Sequence, residues 1–146
     1  PALVIASRRC LAADFSDWLR FKAETQALIR QSGVKEMGPW MTLYHHQGYR
    51  EQDLYVEVAV PIDAVLGRKL QQSESPDFTV YELPEEQVAS VVYPYSKEAI
   101  PAAYEAIGLW VYSHGYRYVG SCREVYLYDD EQSRGQEEIQ FPVEKA

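Results

Sequence analysis

Basic residues are scarce in this chain, with 14 Lys and Arg against 22 Asp and Glu and a formal net charge of −8. No basic cluster exceeds the Arg8-Arg9 pair. A phosphate-binding surface needs clustered cations, so direct nucleic-acid binding by this chain is excluded. Cysteine is nearly absent too: Cys10 and Cys122 lie far apart and in no C-x-x-C or C-x-x-H spacing, which excludes a disulfide framework and suits reduced thiols in the cytoplasm. No apolar run approaches a membrane span, and no signal-peptide pattern occurs. A Gly-rich phosphate loop and a Ser–His–Asp set are both lacking. Of three histidines, His45 and His46 are adjacent, so on a strand their imidazoles point to opposite faces. The third, His114, stands beside a helix-ending Gly115, where a cationic side chain suits the dipole. Neither a metal site nor a cofactor is expected. The chain starts on Pro rather than Met, so a trimmed fragment with a missing partner domain, such as a DNA-binding one, stands as an alternative to a free-standing protein.

Tyrosine, by contrast, is abundant, with 12 among the residues of a chain that is 13% aromatic and 47% hydrophobic. Buried tyrosines need a partner for the hydroxyl, and many of them suit a core that borders a wet, ligand-accepting cavity. Strand propensity accounts for part of the number. The acidic balance favours solubility and cationic ligands. The length, 146 residues, fits one domain with a substantial core.

Along the chain, Ala2 to Ser7 reads as a strand, and Asp14 as the N-cap of a helix with Asp17 in its first turn. Trp18, Phe21, Leu28 and Ile29 recur at helical spacing until Gly33. Strands are read over Pro39 to His46 and Leu54 to Val60, the latter ending at Pro61. Residues 63–77 turn polar and read as a linker. Short strands follow at Phe78 to Leu83 and Val88 to Tyr93, then a helix from Pro101 to Ser113 with stripe Tyr104, Ile107 and Val111. Arg123 to Tyr128 and Ile139 to Val143 close the chain as strands.

The two halves repeat one another. Gly33 and Gly115, Gly38 and Gly120, and Tyr44 and Tyr126 are each 82 residues apart. Val60-Pro61-Ile62 has its counterpart, one residue out of step, in Phe141-Pro142-Val143. Several equal spacings in one order point to duplication. The expected fold is a single α+β domain over 1–146: two βαββ units, roughly 1–62 and 78–146, forming a pseudo-twofold antiparallel sheet with two helices. Ligand sites often form at the seam of such halves.

The order of these signals resembles the gyrase-inhibitor-like (GyrI-like) family, the effector-binding domain of AraC- and MerR-type bacterial regulators, with its SHS2-type units. The resemblance rests on Ala6-Ser7-Arg8, Gly38-Pro39-Trp40, Val58 to Ile62 and Glu82-Leu83-Pro84. It is densest from Tyr104 through Leu109-Trp110 and His114-Gly115-Tyr116 to Arg123-Glu124-Val125-Tyr126, and ends in Phe141-Pro142-Val143. The chain departs from the family's His-x-Gly-Pro-Tyr segment, having Val92-Tyr93-Pro94-Tyr95 in its place. The resemblance implies an aromatic-lined pocket between the halves with Glu124 of the E-x-Y motif at its floor. It also implies ligands that are often cationic and aromatic, and binding events that alter transcription.

By strand period, Glu124 shares a face with Tyr126 and Tyr128. A carboxylate there is costly to bury unless paired, and it attracts delocalised cations, with tyrosine faces adding about 0.5–2 kcal/mol each. The pattern equally allows a solvated Glu124 paired with Arg123 or Arg117. Tyr44 is the repeat counterpart of Tyr126, while Thr42 stands where the second half has Glu124, so one carboxylate and one site are expected. Trp40 is a wall candidate, Trp110 a cap or plain core, and Tyr93 and Tyr95 rim candidates. Glu57 and Glu82 are assigned to solvent-facing strand positions. Three functions follow. The first is a small-molecule sensor, possessing multidrug breadth, of a transcription regulator or a stand-alone binding protein. The second is a hydrolase of cyclopropanoid toxins with Glu124 as general base. The third is a protein-binding module of the gyrase-inhibitor kind.

Overall fold

The computed structural model describes residues 3–45, 52–72, 77–94, 99–127 and 135–146. Eight strands and three helices run through them, and every pairing within the two compact units, Pro1–Glu85 and Glu86–Ala146, is antiparallel. This is the α+β architecture expected, with one helix more.

The first unit holds β1 (Leu3–Asp14), α1 (Phe15–Gln31), β2 (Met41–Tyr44), β3 (Gln52–Pro61), α2 (Ala64–Gln72) and β4 (Thr79–Leu83). Asp14 caps α1 as expected, its carboxylate accepting from the Asp17 amide at 2.9 Å. β1 lies between β3 and β4, and β3 between β1 and β2. Arg8 reaches α1, donating to Thr25 Oγ1 at 3.3 Å with its guanidinium over the Phe21 ring, which marks the even-numbered side of β1 as the helix face. Register carries that face to Val56 and Val58 of β3, then to Thr42 and Tyr44 of β2. Trp18, Thr25 and Ile29 of α1 are buried above it.

Two readings of this half need correction. Residues 63–77, read as a linker from their polar end, contain α2. Its apolar start is what anchors it: Asp63 caps the first turn by accepting from the Leu66 amide at 3.0 Å, and Gly67 sits on Val4 and Ile62. The strand read at Phe78 to Leu83, grouped with the second half, pairs instead with β1, from Leu3↔Leu83 to Ser7↔Thr79.

The second unit holds β5 (Val88–Pro94), α3 (Ala99–Ser113), β6 (Tyr116–Tyr118), β7 (Arg123–Tyr126) and β8 (Gln136–Lys145). β8 pairs with β5, β6 and β7. Beneath α3, its buried Ala103, Ile107 and Val111 form one core with Ala89, Tyr93, Ile139 and Val143.

Backbone hydrogen bonds carry the repeat further than residue identities do. Met37 N–H donates to the Pro61 carbonyl and Val119 N–H to that of Pro142; His45 N–H donates to Tyr55 and Leu127 N–H to Gln136. Offsets of 82 on the donor side (37 to 119, 45 to 127) and 81 on the acceptor side (61 to 142, 55 to 136) place the one-residue difference between β2 and β3 of the first unit and between β7 and β8 of the second. Gly38 and Gly120 are glycines for the same steric reason. A Cβ on either would come within 3.2 Å of Pro61 or 3.0 Å of Pro142, respectively. Gly33 and Gly115 both end their helices at positive φ, 84° and 71°.

Glu57 is not solvent-facing. It opposes Arg9 on the side of β3 away from α1 and is 0% exposed. Tyr81 donates to its Oε2 at 2.6 Å, while His45 Nε2 lies 2.8 Å and Arg9 Nε 3.3 Å from Oε1. Burial pushes this carboxyl's pKa up, but hydrogen bonds from Ser7, Tyr81 and His45 and the charge of Arg9 outweigh it and hold the group below the usual range. A buried carboxylate so fully donated to is tolerated where an unpaired one is not. Because the folded pKa is depressed, the stabilisation is complete above the ordinary value of about 4.3 and is lost as pH falls through the folded value. Glu57→Gln should therefore lower unfolding stability at neutral pH by about 3 kcal/mol. In urea unfolding series the deficit should narrow once pH drops below about 4.

Candidate functional site

The antiparallel register of β7 on β8 sets the site. Glu124 lies opposite Ile139 and Tyr126 opposite Glu137. On the other side of β8, Val91 pairs with Ile139 and Tyr93 with Glu137. Residues directly across a ladder share a face, so Glu124, Tyr126, Glu137, Ile139, Phe141 and Tyr93 all stand on the side covered by α3. From that helix Tyr104 reaches down, donating its hydroxyl to Glu124 Oε1 at 3.1 Å and meeting Cys122 Sγ at 3.6 Å. The Phe141 ring holds Tyr104 edge-on, with centroids 5.8 Å apart, and packs against Tyr118 at 4.8 Å.

Glu124 is half-buried, and the arginines that a solvated reading would give it are engaged elsewhere. Arg123 pairs with Glu86 at 2.6 Å and Arg117 with Glu144. Glu137 is 1% exposed and accepts from the Tyr93 hydroxyl at 2.9 Å. The second unit thus carries two carboxylates on its helix face, diagonal neighbours on the ladder at about 7–8 Å, among three tyrosines. The repeat by itself leads to one carboxylate, Glu124. Glu137 is hidden in the sequence because Gln136-Glu137-Glu138 extends the polar run before it, although Glu137, Ile139 and Phe141 do alternate.

Burial first, then the charge of Glu124, drives the Tyr104 hydroxyl well above its ordinary pKa, so it remains a donor. Burial likewise pushes the Cys122 thiol up to about 12, with Glu124 adding to the rise. Between them these groups place hydrogen-bond donors to one carboxylate on a tyrosine-rich, acidic side of the sheet, a combination of residue types suited to a cation carried on an aromatic frame.

The remaining candidates are placed as follows. Tyr126 is buried beside Glu137, and Tyr93 is buried rather than exposed at a rim. Tyr95, Tyr128 and His46 lie outside the described residues. In the first unit Thr42 pairs with Val58 as Glu124 pairs with Ile139, and Tyr44 with Val56 as Tyr126 with Glu137, so the repeat equivalence holds in register. Trp40 is buried and donates its indole N–H to Glu36 Oε1 at 3.0 Å, under the Arg30 guanidinium. Trp110 is not gathered with Tyr104: six residues along a helix place it about 120° around the axis. It is 44% exposed, stacked on His114 and Tyr116. Among the described residues no group of three or more His, Cys, Asp or Glu could hold a metal ion. No described helix is long and apolar enough to cross a membrane.

The model of the GyrI-like small molecule binding domain matches residues 19–144. The chain belongs to the GyrI-like family. Solved structures agree in fold. The C-terminal domain of EcmrR is 23% identical with a TM-score of 0.83, over 100% of this chain and 94% of that one. In the EcmrR–DNA complex the same likeness covers 55% of the EcmrR chain, so this GyrI-like domain spans about half of that regulator. A hydrolase from Listeria innocua is 9% identical with a TM-score of 0.64, over 99% of this chain and 88% of that one. SAV2435, solved bound to tetraphenylphosphonium, is 12% identical with a TM-score of 0.54, over 98% and 89%. No curated protein sequence matches.

The two thiols should differ in reactivity. Cys122 should resist iodoacetamide at pH 8 under native conditions while Cys10, away from Tyr104 and Glu124, is modified first. Time-resolved peptide mass spectrometry checks the order, and equal rates would count against the buried Tyr104–Cys122–Glu124 cluster.

Proposed function

We propose that this GyrI-like domain binds small aromatic cations on the tyrosine-lined face that carries Glu124. It would act as the cytoplasmic sensing module of a multidrug-responsive transcription regulator or as a stand-alone binding protein. The observation that carries the reading is the pair Glu124 and Glu137 on one strand face with Tyr93, Tyr104 and Tyr126 around them. A delocalised cation gains from both the carboxylates and the ring faces without the full desolvation cost of a compact ammonium. The binding of tetraphenylphosphonium by SAV2435 is in keeping with this class of ligand. Tyr44, Trp40 and Trp110 remain proposed contributors to ligand contacts. Any DNA contact would come from a separate domain, as the DNA-bound EcmrR chain is longer than this one.

A second reading makes Glu124 a general base toward water in a hydrolase of cyclopropanoid compounds. It is favoured by the half-buried position of Glu124 and by the Tyr104 hydroxyl that orients one of its oxygens. Holding a cation accounts for both carboxylates, whereas general-base chemistry needs only one.

Fluorescence titration with rhodamine 6G should show saturable binding. Glu124→Gln should weaken it roughly tenfold or more, about 1.4–3 kcal/mol, and Glu137→Gln should weaken it in the same direction. An uncharged aromatic of similar size should lose nothing on either substitution. Absence of binding by the wild type across a broad panel of cationic dyes would sink the proposal. Incubation with a cyclopropane-containing alkylating toxin decides the second reading: substrate left unchanged at high protein concentration eliminates it.

A further inference from the structure

The two units differ at one edge. In the first, β4 covers the outer edge of β1 over five residues, Leu3 to Ser7 against Leu83 to Thr79. Ile5 faces Pro61 as Val88 faces Pro142, so the equivalent edge in the second unit belongs to β5. That edge meets no strand among the described residues. In place of a strand there is a groove of about 430 Å³, lined by Val88, Ala89, Ser90, Val91, Ile107 and Trp110.

Exposed edges are normally blunted by charge, by proline within the strand or by a covering element. The first unit follows that practice: its outermost strand β4 carries Glu82, paired with Arg68 of α2 at 3.7 Å, and Pro84 follows it. β5 has none of this from Val88 to Tyr93. Its run Val-Ala-Ser-Val-Val-Tyr is uncharged in a chain of net charge −8, and Val92 is 49% exposed. Beside it Trp110 of α3, 44% exposed, lines the same groove.

We propose that this edge is an interface on which a second copy of the chain adds its own β5, antiparallel and about a twofold axis. Two identical strands satisfy this geometry with Ser90 opposite Ser90, Ala89 opposite Val91 and Val88 opposite Val92. The ladder spans five residues, as β1 and β4 do, and stops short of Pro94. Apolar meets apolar at every pair except the central serines, and exposed Val92 is covered by Val88. A like-charged copy approaches with least repulsion here, because the strand contributes no charge. A twofold contact of one patch with itself also closes, leaving no further edge to propagate.

Sedimentation velocity on the whole chain tests this. The wild type should form a concentration-dependent dimer. Ser90 is exposed, so Ser90→Glu and Ser90→Lys should each fold, checked by circular dichroism, and each should be monomeric alone because like charges face one another. Mixing the two variants should restore a dimer that contains one chain of each. Dimers untouched by either substitution, or a mixture that stays monomeric, would overturn the β5 pairing. A wild type that stays monomeric would overturn it as well, leaving the edge to a strand of a different protein.

Discussion

The register of β7 on β8 is the constraint on which the candidate site depends. Side chains alternate along a strand, so a slip of one residue would turn Glu124 and Tyr126 away from α3 and bring Arg123 and Val125 under it. Several contacts oppose that slip. Val125 and Tyr126 are buried on opposite faces. Arg123 is tied to Glu86 on the side away from the helix, and Tyr104 is tied to Glu124 on the helix side. The same register fixes Tyr93 over Glu137 through β8. Site and fold are therefore held by one set of backbone hydrogen bonds.

Duplication explains how such a site arises on a repeated frame. The equivalent hydrogen bonds at Pro61 and Pro142, and the glycines beneath each proline, give the two units the same backbone contacts at these places. Side chains then diverge at equivalent places. Where the second unit has Glu124, the first has Thr42; where it has Glu137, the first has Val56. The helix face of the second unit is thereby acidic and tyrosine-rich, while that of the first carries buried threonines with Lys22 and Arg8 and has neither glutamate. The first unit keeps its buried carboxylate, Glu57, on the other face, where three hydrogen-bond donors and the charge of Arg9 hold it. Hydrogen bonds and the Arg9 charge make Glu57 structural, whereas Glu124 is only half-buried, which is what the proposed ligand role requires of it.

Much of this was legible beforehand because it rests on local chemistry. The Asp14 cap, the glycines ending both helices, the alternation through Leu54 to Val60 and the equal spacings of the repeat are short-range signals, each with a steric or hydrogen-bonding cause. They suffice for the α+β class, the repeated units and the shared strand face of Glu124 and Tyr126. The segment 63–77 misled because its polar tail hides the apolar turn from Ala64 to Leu66, and a short helix gives little periodicity to count.

What the amino-acid order determined, then, was which stretches become strands and helices and that they do so twice. What only the tertiary structure decided was which faces are covered. Alternation assigns residues to one side of a strand or the other, but it cannot tell a strand wet on one side from one buried on both. Glu57 was misjudged for that reason, and Glu137 was overlooked for a related one. Its cost of burial is offset by Tyr93, a partner 44 residues away in sequence that only the pairing of β5 with β8 brings within hydrogen-bonding distance.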